Sequence, residues 1–130
     1  MMAFFSSRKQ PVLPRRQALE CIPVRNPEAG QSRNDEGILL SYPVEVKPWF
    51  QGIFRRVAGR DSGIIVRKLQ LDAMGSSVWE MIDNRRSVRE IAELFGQRHH
   101  LGRREAEISV SAFVRELGRR GLVALREKKT

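Results

Sequence analysis

The sequence predicts a small α+β domain of winged helix-turn-helix type: three N-terminal antiparallel strands, then a three-helix bundle, with an amphipathic helix inserted before the third strand. Three observations predict it. Residues 64–71, IIVRKLQL, alternate with the two-residue period of a strand. After Leu71 the apolar spacing changes to the 3.6-residue period of a helix and keeps it almost to the end. Ser87-Val88-Arg89-Glu90 is an S-x-x-E capping box, which starts a new helix in the middle of that stretch.

In chain order, residues 1–16 read as a basic, flexible tail with Arg8, Lys9, Arg15 and Arg16, no acid, and prolines at 11 and 14. Residues 17–126 form one domain, and 127–130 a charged end. The first strand is expected at 17–25, where Ala18, Glu20, Ile22 and Val24 alternate with Leu19, Cys21 and Pro23. Pro23 places it at an edge or a strand end. Residues 26–37 are rich in Gly, Asn, Asp and Pro and read as a loop. The second strand is 38–46, marked by Pro43, and the third is 64–71. Between them, at 47–62, Trp49, Phe50, Ile53, Phe54 and Val57 fall on a helical stripe beginning at Pro48 and ending near Arg60, with Arg55 and Arg56 off it. Its apolar side is expected to cover the rest of the domain.

Asp72 is placed to cap a helix whose apolar residues are Met74, Val78, Met81 and Ile82, with Trp79 alongside and Asn84 at its end. The capping box then opens a short helix with Val88, Ile91, Leu94 and Phe95 inward. A loop through His99, His100 and Gly102 leads to the longest helix, about 103–120. Gly121 suits a left-handed cap, with Leu122 folding back on the helix. Residues 122–125 add a short closing strand.

Composition narrows the function. The chain has 130 residues, 24 basic against 15 acidic, for a net charge of +9. No apolar run approaches the roughly 18 residues of a membrane span, and the first ten residues lack the layout of a signal peptide. The expectation is a cytoplasmic protein. Cys21 is alone, so no intrachain disulfide or thiolate zinc cluster can form. His99 and His100 are adjacent and point in different directions, so they are not two ligands from one face. There is neither a GxxxxGK phosphate loop nor a GxGxxG turn. No catalytic residues, metal or cofactor are expected.

The last helix points to a binding role. Ala106, Val110, Phe113, Val114 and Leu117 make its core stripe, and the opposite side carries Arg104, Ile108, Ser111, Ala112, Arg115 and Arg119. An isoleucine among small and basic residues outlines a groove, apolar at its floor and cationic at its rim. A third strand at a sheet edge would offer unpaired backbone groups beside it. In β-augmentation such an edge gives affinity, and pockets for alternate side chains give selectivity. Arg67 and Lys68 would favour acidic residues in the guest.

Several segments resemble the PqqD family. In that family a strand ends in Leu-Asp or Leu-Asn, a helix carries a hydrophobic-Trp-x-hydrophobic-hydrophobic-Asp segment, and Thr/Ser-Val-x-Glu-Ile opens the next helix. Here these are Leu71-Asp72, Val78-Trp79-Glu80-Met81-Ile82-Asp83 and Ser87-Val88-Arg89-Glu90-Ile91. Phe113-Val114-Arg115-Glu116-Leu117 and Arg120-Gly121-Leu122-Val123 also match, so the likeness covers about 64–125. The tail and the inserted helix have no counterpart in the family's short members.

The resemblance implies a peptide-binding chaperone, the recognition element of ribosomally made, post-translationally modified peptides (RiPPs). Such modules hold a precursor's leader as an added strand beside the third strand and against the third helix. They present its core segment to a modifying enzyme, often a radical-SAM protein. Mapped here, the cleft takes Val66, Arg67, Lys68, Leu69 and Gln70 from the strand. Ile108, Ser111, Ala112, Arg115 and Arg119 line it from the helix. A homodimer through the inserted helix is left open.

The competing reading is a winged-helix DNA-binding regulator. Net charge and a sequence pI near 11 have the footprint of phosphate contact, with Arg104, Arg115 and Arg119 entering the major groove. Glu105, Glu107 and Glu116 on the same helix oppose it, and much of the excess charge lies in the tail.

Overall fold

A computed structural model describes residues 14–45 and 64–128. The expected tail residues 1–13 and the expected helix at 48–60 lie outside them. The described chain is a mixed α+β fold with two antiparallel sheets. In order, it runs α1 Arg15–Glu20, β1 Ile22–Arg25, β2 Gly30–Asn34, β3 Gly37–Glu45, β4 Ile64–Gln70, α2 Ala73–Met81, α3 Val88–His99, α4 Arg103–Arg119 and β5 Val123–Arg126.

The N-terminal third departs from expectation in three ways. The strand expected at 17–25 is a helix followed by a shorter strand. Arg-Arg-Gln-Ala-Leu-Glu are good helix formers, and the Pro14 carbonyl accepts the Ala18 N–H at 3.0 Å. Arg15 and Arg16, assigned to the tail, are therefore helical. β1 also does not join the other N-terminal strands. It pairs with β5 in a two-stranded sheet, Ile22 opposite Arg126 and Arg25 opposite Val123. Finally, the expected loop contains β2, five exposed residues (GQSRN) with no apolar alternation to announce them. The second sheet is thus β2-β3-β4, all antiparallel.

From β4 onward the elements fall close to where periodicity placed them. The Asp72 carboxylate caps α2 by accepting the Gly75 N–H at 2.8 Å. The capping box of α3 is complete: the Ser87 hydroxyl accepts from the Glu90 N–H and the Glu90 carboxylate from the Ser87 N–H. α3 continues through His99, which the expected loop had included, and ends at His100 in the left-handed region. Gly121 (φ 78°) follows α4, and the Leu122 N–H returns to the Leu117 carbonyl at 2.9 Å.

The core lies between β2-β3-β4 and the helices. Leu40, Val110, Ile91, Leu117 and Leu122 are fully buried, joined by Trp79, Ile82 and Tyr42. Trp79 is fixed on three sides. Its indole N–H donates to Gln31 of β2 at 2.7 Å, the Arg25 guanidinium stacks 4.4 Å from its ring, and Arg25 also donates to its carbonyl.

One close contact sets where β3 starts. A Cβ on Gly37 (φ 141°) would lie 2.4 Å from the Leu71 carbonyl oxygen and 2.5 Å from the Ser76 hydroxyl. The bare glycine lets β3 start against the beginning of α2, with the Ile38 N–H donating to Ser76 Oγ at 2.8 Å.

Candidate functional site

β4 is an edge. Among the described strands it pairs only with β3, in a register that sets Leu40 opposite Leu69, Tyr42 opposite Arg67 and Val44 opposite Ile65. The phase of that ladder follows from one bond: the Leu71 N–H donates to the Ile38 carbonyl at 2.8 Å. Hydrogen-bonded pairs in an antiparallel ladder recur every second residue. Leu69, Arg67 and Ile65 therefore turn their backbone groups toward β3, while Val66, Lys68 and Gln70 turn theirs to the free side. The same phase explains why Pro43 is tolerated. Its nitrogen faces away from β4 and past the end of β2, whose last pair is Gly30 with Ser41.

Beside this edge, on the inner face of the sheet, runs a groove of about 420 Å³ between β4, the start of α2 and α4. Leu69, Leu71, Met74, Val78, Phe95 and Phe113 supply apolar walls, while Gln70, Asp72, Ser109, Glu116 and Arg120 supply polar ones. Gly75 makes room for it. A Cβ there would approach the Phe113 ring at 3.2 Å, so the missing side chain lets Phe113 lie against α2. Met74 stays 43% exposed at the groove mouth.

The far end of the groove is ionic. Arg120 donates to the Tyr42 hydroxyl at 3.2 Å and to Glu116 at 3.1 Å, and Arg119 also pairs with Glu116. The hydrogen bond from Arg119, together with the two guanidinium charges, holds the Glu116 carboxyl below its usual range despite some burial. The hydroxyl of Tyr42, with Glu116 behind it, holds Arg120 above its ordinary value.

The structure divides the ten expected cleft residues. Leu69 and Gln70 line the groove. Val66, Arg67 and Lys68 are exposed at the adjoining edge, Val66 at 63%. Ile108 (44% exposed), Ala112, Arg115 and Arg119 form an exposed row along α4. Ser111 is buried, its hydroxyl has no partner among the described residues, and it is not among the residues that line the groove. The groove wall on α4 is instead Ser109, Phe113, Glu116 and Arg120. Phe113 is about 140° around the helix from Ile108. The sequence argument took the side opposite the core stripe, whereas the groove lies on the flank of that stripe. Phe113, half-buried and shared between core and groove, was the available signal.

The family model for coenzyme PQQ synthesis protein D (PqqD) matches residues 53–123, more than half of the chain. The chain belongs to the PqqD family. In this PqqD-family chain the matched residues include β4, α2, α3 and α4, the elements that build the groove, whereas β2 and β3 precede them. Among solved structures, the chain is similar in fold to a lasso peptide synthetase B1 complexed with the leader peptide. The TM-score is 0.53 at 20% identity, over 78% of this chain and 95% of that one. No curated protein sequence matches it. No described helix is long and apolar enough to cross a membrane.

Proposed function

We propose that this PqqD-family chain is a non-catalytic peptide-capture module. It takes the leader of a ribosomally made precursor peptide as a strand added to β4 and presents the rest to a modifying enzyme. The observation that carries this reading is the free side of β4, where Val66, Lys68 and Gln70 offer their backbone groups next to a groove walled by α4. Family membership supports it, as does a fold shared with a protein whose structure holds a leader peptide. Val66 to Gln70 form the strand side of the site, and Ser109, Phe113, Glu116 and Arg120 its helix wall. Ile108, Ala112, Arg115 and Arg119 form the outer rim. The enzyme partner is a peptide-modifying enzyme, and a radical-SAM protein is our first candidate.

The test is amide exchange on the labelled chain, titrated with leader segments of short precursor peptides encoded beside its gene. Slowed exchange at Val66 and Lys68, with Ile65 and Arg67 unchanged, is the expected pattern. Binding without that alternation would overturn strand addition.

A second reading rests on the exposed basic row Arg104, Arg115 and Arg119, which could meet duplex DNA. Arg119 is already paired with Glu116 and the row is short. Titration of duplex DNA at two salt concentrations decides. DNA recognition requires a preferred sequence and a steep loss of affinity with salt, and we expect neither.

A further inference from the structure

We propose that the segment this chain captures carries a carboxylate side chain two residues away from a large apolar side chain, the acid opposite Arg67 and the apolar group opposite Leu69. The inference rests on the strand-addition reading and adds to it a sequence rule for the guest.

The rule follows from the sheet phase and from how the groove changes along its length. A strand laid on the free side of β4 turns every second side chain toward the inner face of the sheet, at intervals of about 7 Å. Two successive inner positions fall opposite Arg67 and Leu69, whose own cross-strand partners on that face are Tyr42 and Leu40. α4 crosses the same face from Ser109 to Arg120.

At the Leu69 end the walls are Met74, Val78 and Phe113, and the carboxylate there, Asp72, is turned to the Gly75 N–H. An apolar guest side chain is desolvated there at no polar cost, whereas an acid would lose water beside a like charge. At the Arg67 end the chemistry reverses. Arg67 stands opposite Tyr42 on the inner face, Tyr42 holds Arg120, and Arg119 and Arg120 both pair with one carboxylate, Glu116. Two of Arg120's five N–H donors are engaged by Tyr42 and Glu116, and its side chain is 36% exposed. The other donors are available to an incoming carboxylate.

Three fluorescein-labelled nonapeptides in a Ser/Thr background test the rule by anisotropy. One carries Asp and Phe two residues apart, one has Asn in place of that Asp, and one has Asp and Phe three apart. We expect the first to bind five- to tenfold tighter than either of the others. Arg120→Gln should abolish the preference for Asp over Asn, and Phe113→Ala should weaken all three. Arg67→Gln, at an exposed position, gives the same readout should Arg120→Gln fail to fold. Equal affinity for the Asp and Asn peptides, with slowed exchange at Val66 and Lys68, overturns the rule while strand addition stands. Unchanged exchange at those amides with every peptide, up to millimolar concentration, overturns strand addition and the rule with it.

Discussion

The Arg120 guanidinium donates to the Tyr42 hydroxyl at 3.2 Å, across 78 residues of sequence. This bond ties the end of α4 to the inner face of β3, and so sets the spacing between the helix and the sheet edge one strand further on. Tyr42 is 3% exposed, so its hydroxyl depends on that partner.

Tyr42→Phe should therefore destabilise the fold by about 1.5–3 kcal/mol, the range for a hydrogen bond to a charged group. Urea unfolding is the check: the midpoint should fall with the slope unchanged. The ring is retained, so a larger loss would mean that the core, and not the bond, had been disturbed.

Gly37→Ala should be more damaging. The new methyl meets the Leu71 carbonyl, the Ser76 hydroxyl and the Asp72 carbonyl, at a φ that alanine avoids. A cost of about 3 kcal/mol or more is expected, and the thermal midpoint should fall by many degrees. An alanine variant as stable as the parent would show that β3 does not start where it is placed here.

Acid should weaken the fold through its capping carboxylates. The Ser87 backbone N–H, aided by its hydroxyl, holds the Glu90 carboxyl below its ordinary value, as Arg119 does Glu116. Burial pushes the Asp83 carboxyl up, but the amides of Arg86 and Arg85 and the Arg86 charge more than offset it. A carboxyl whose folded pKa is depressed contributes stability above its unfolded pKa and loses it as pH falls through the folded one. Stability should thus be level near neutrality and decline from about pH 4.5 downward. Glu90→Gln should flatten part of the decline in denaturant midpoints measured against pH. Ser87→Ala should cost about 1 kcal/mol at neutral pH as a lost helix cap.

Ile108→Glu should leave the fold intact, within about 0.5 kcal/mol, because the side chain is exposed. It should weaken capture of an acidic peptide severalfold by adding a like charge to the rim. Circular dichroism and the anisotropy assay separate the two effects. Unfolding of this variant would place Ile108 in the core and the rim elsewhere.

What was legible in the sequence depended on whether a segment's own chemistry decided its conformation. Asp72, Ser87 with Glu90, and Gly121 fix helix ends within a few residues of themselves, so the three long helices could be read directly. β4 could be read because its residues alternate. β2 could not: GQSRN is exposed throughout, and only its ladder with β3 makes it a strand. α1 was hidden by an alternation at 17–25 that belongs half to a helix and half to β1. The strand half of the candidate site was visible for the same reason as β4. The helix half was displaced because one wheel cannot show which flank of a core stripe a neighbouring strand leaves uncovered.

The β1-β5 pairing carries a consequence for biosynthesis. Ile22 and Pro23 find their partners, Arg126 and Leu125, about a hundred residues later. A chain emerging from the ribosome can assemble β2-β3-β4 and lay down α2 and α3 while β1 still waits. Only when β5 clears the exit tunnel does β1 gain a ladder, so the earliest of the described strands to be synthesised is the last of them to be secured.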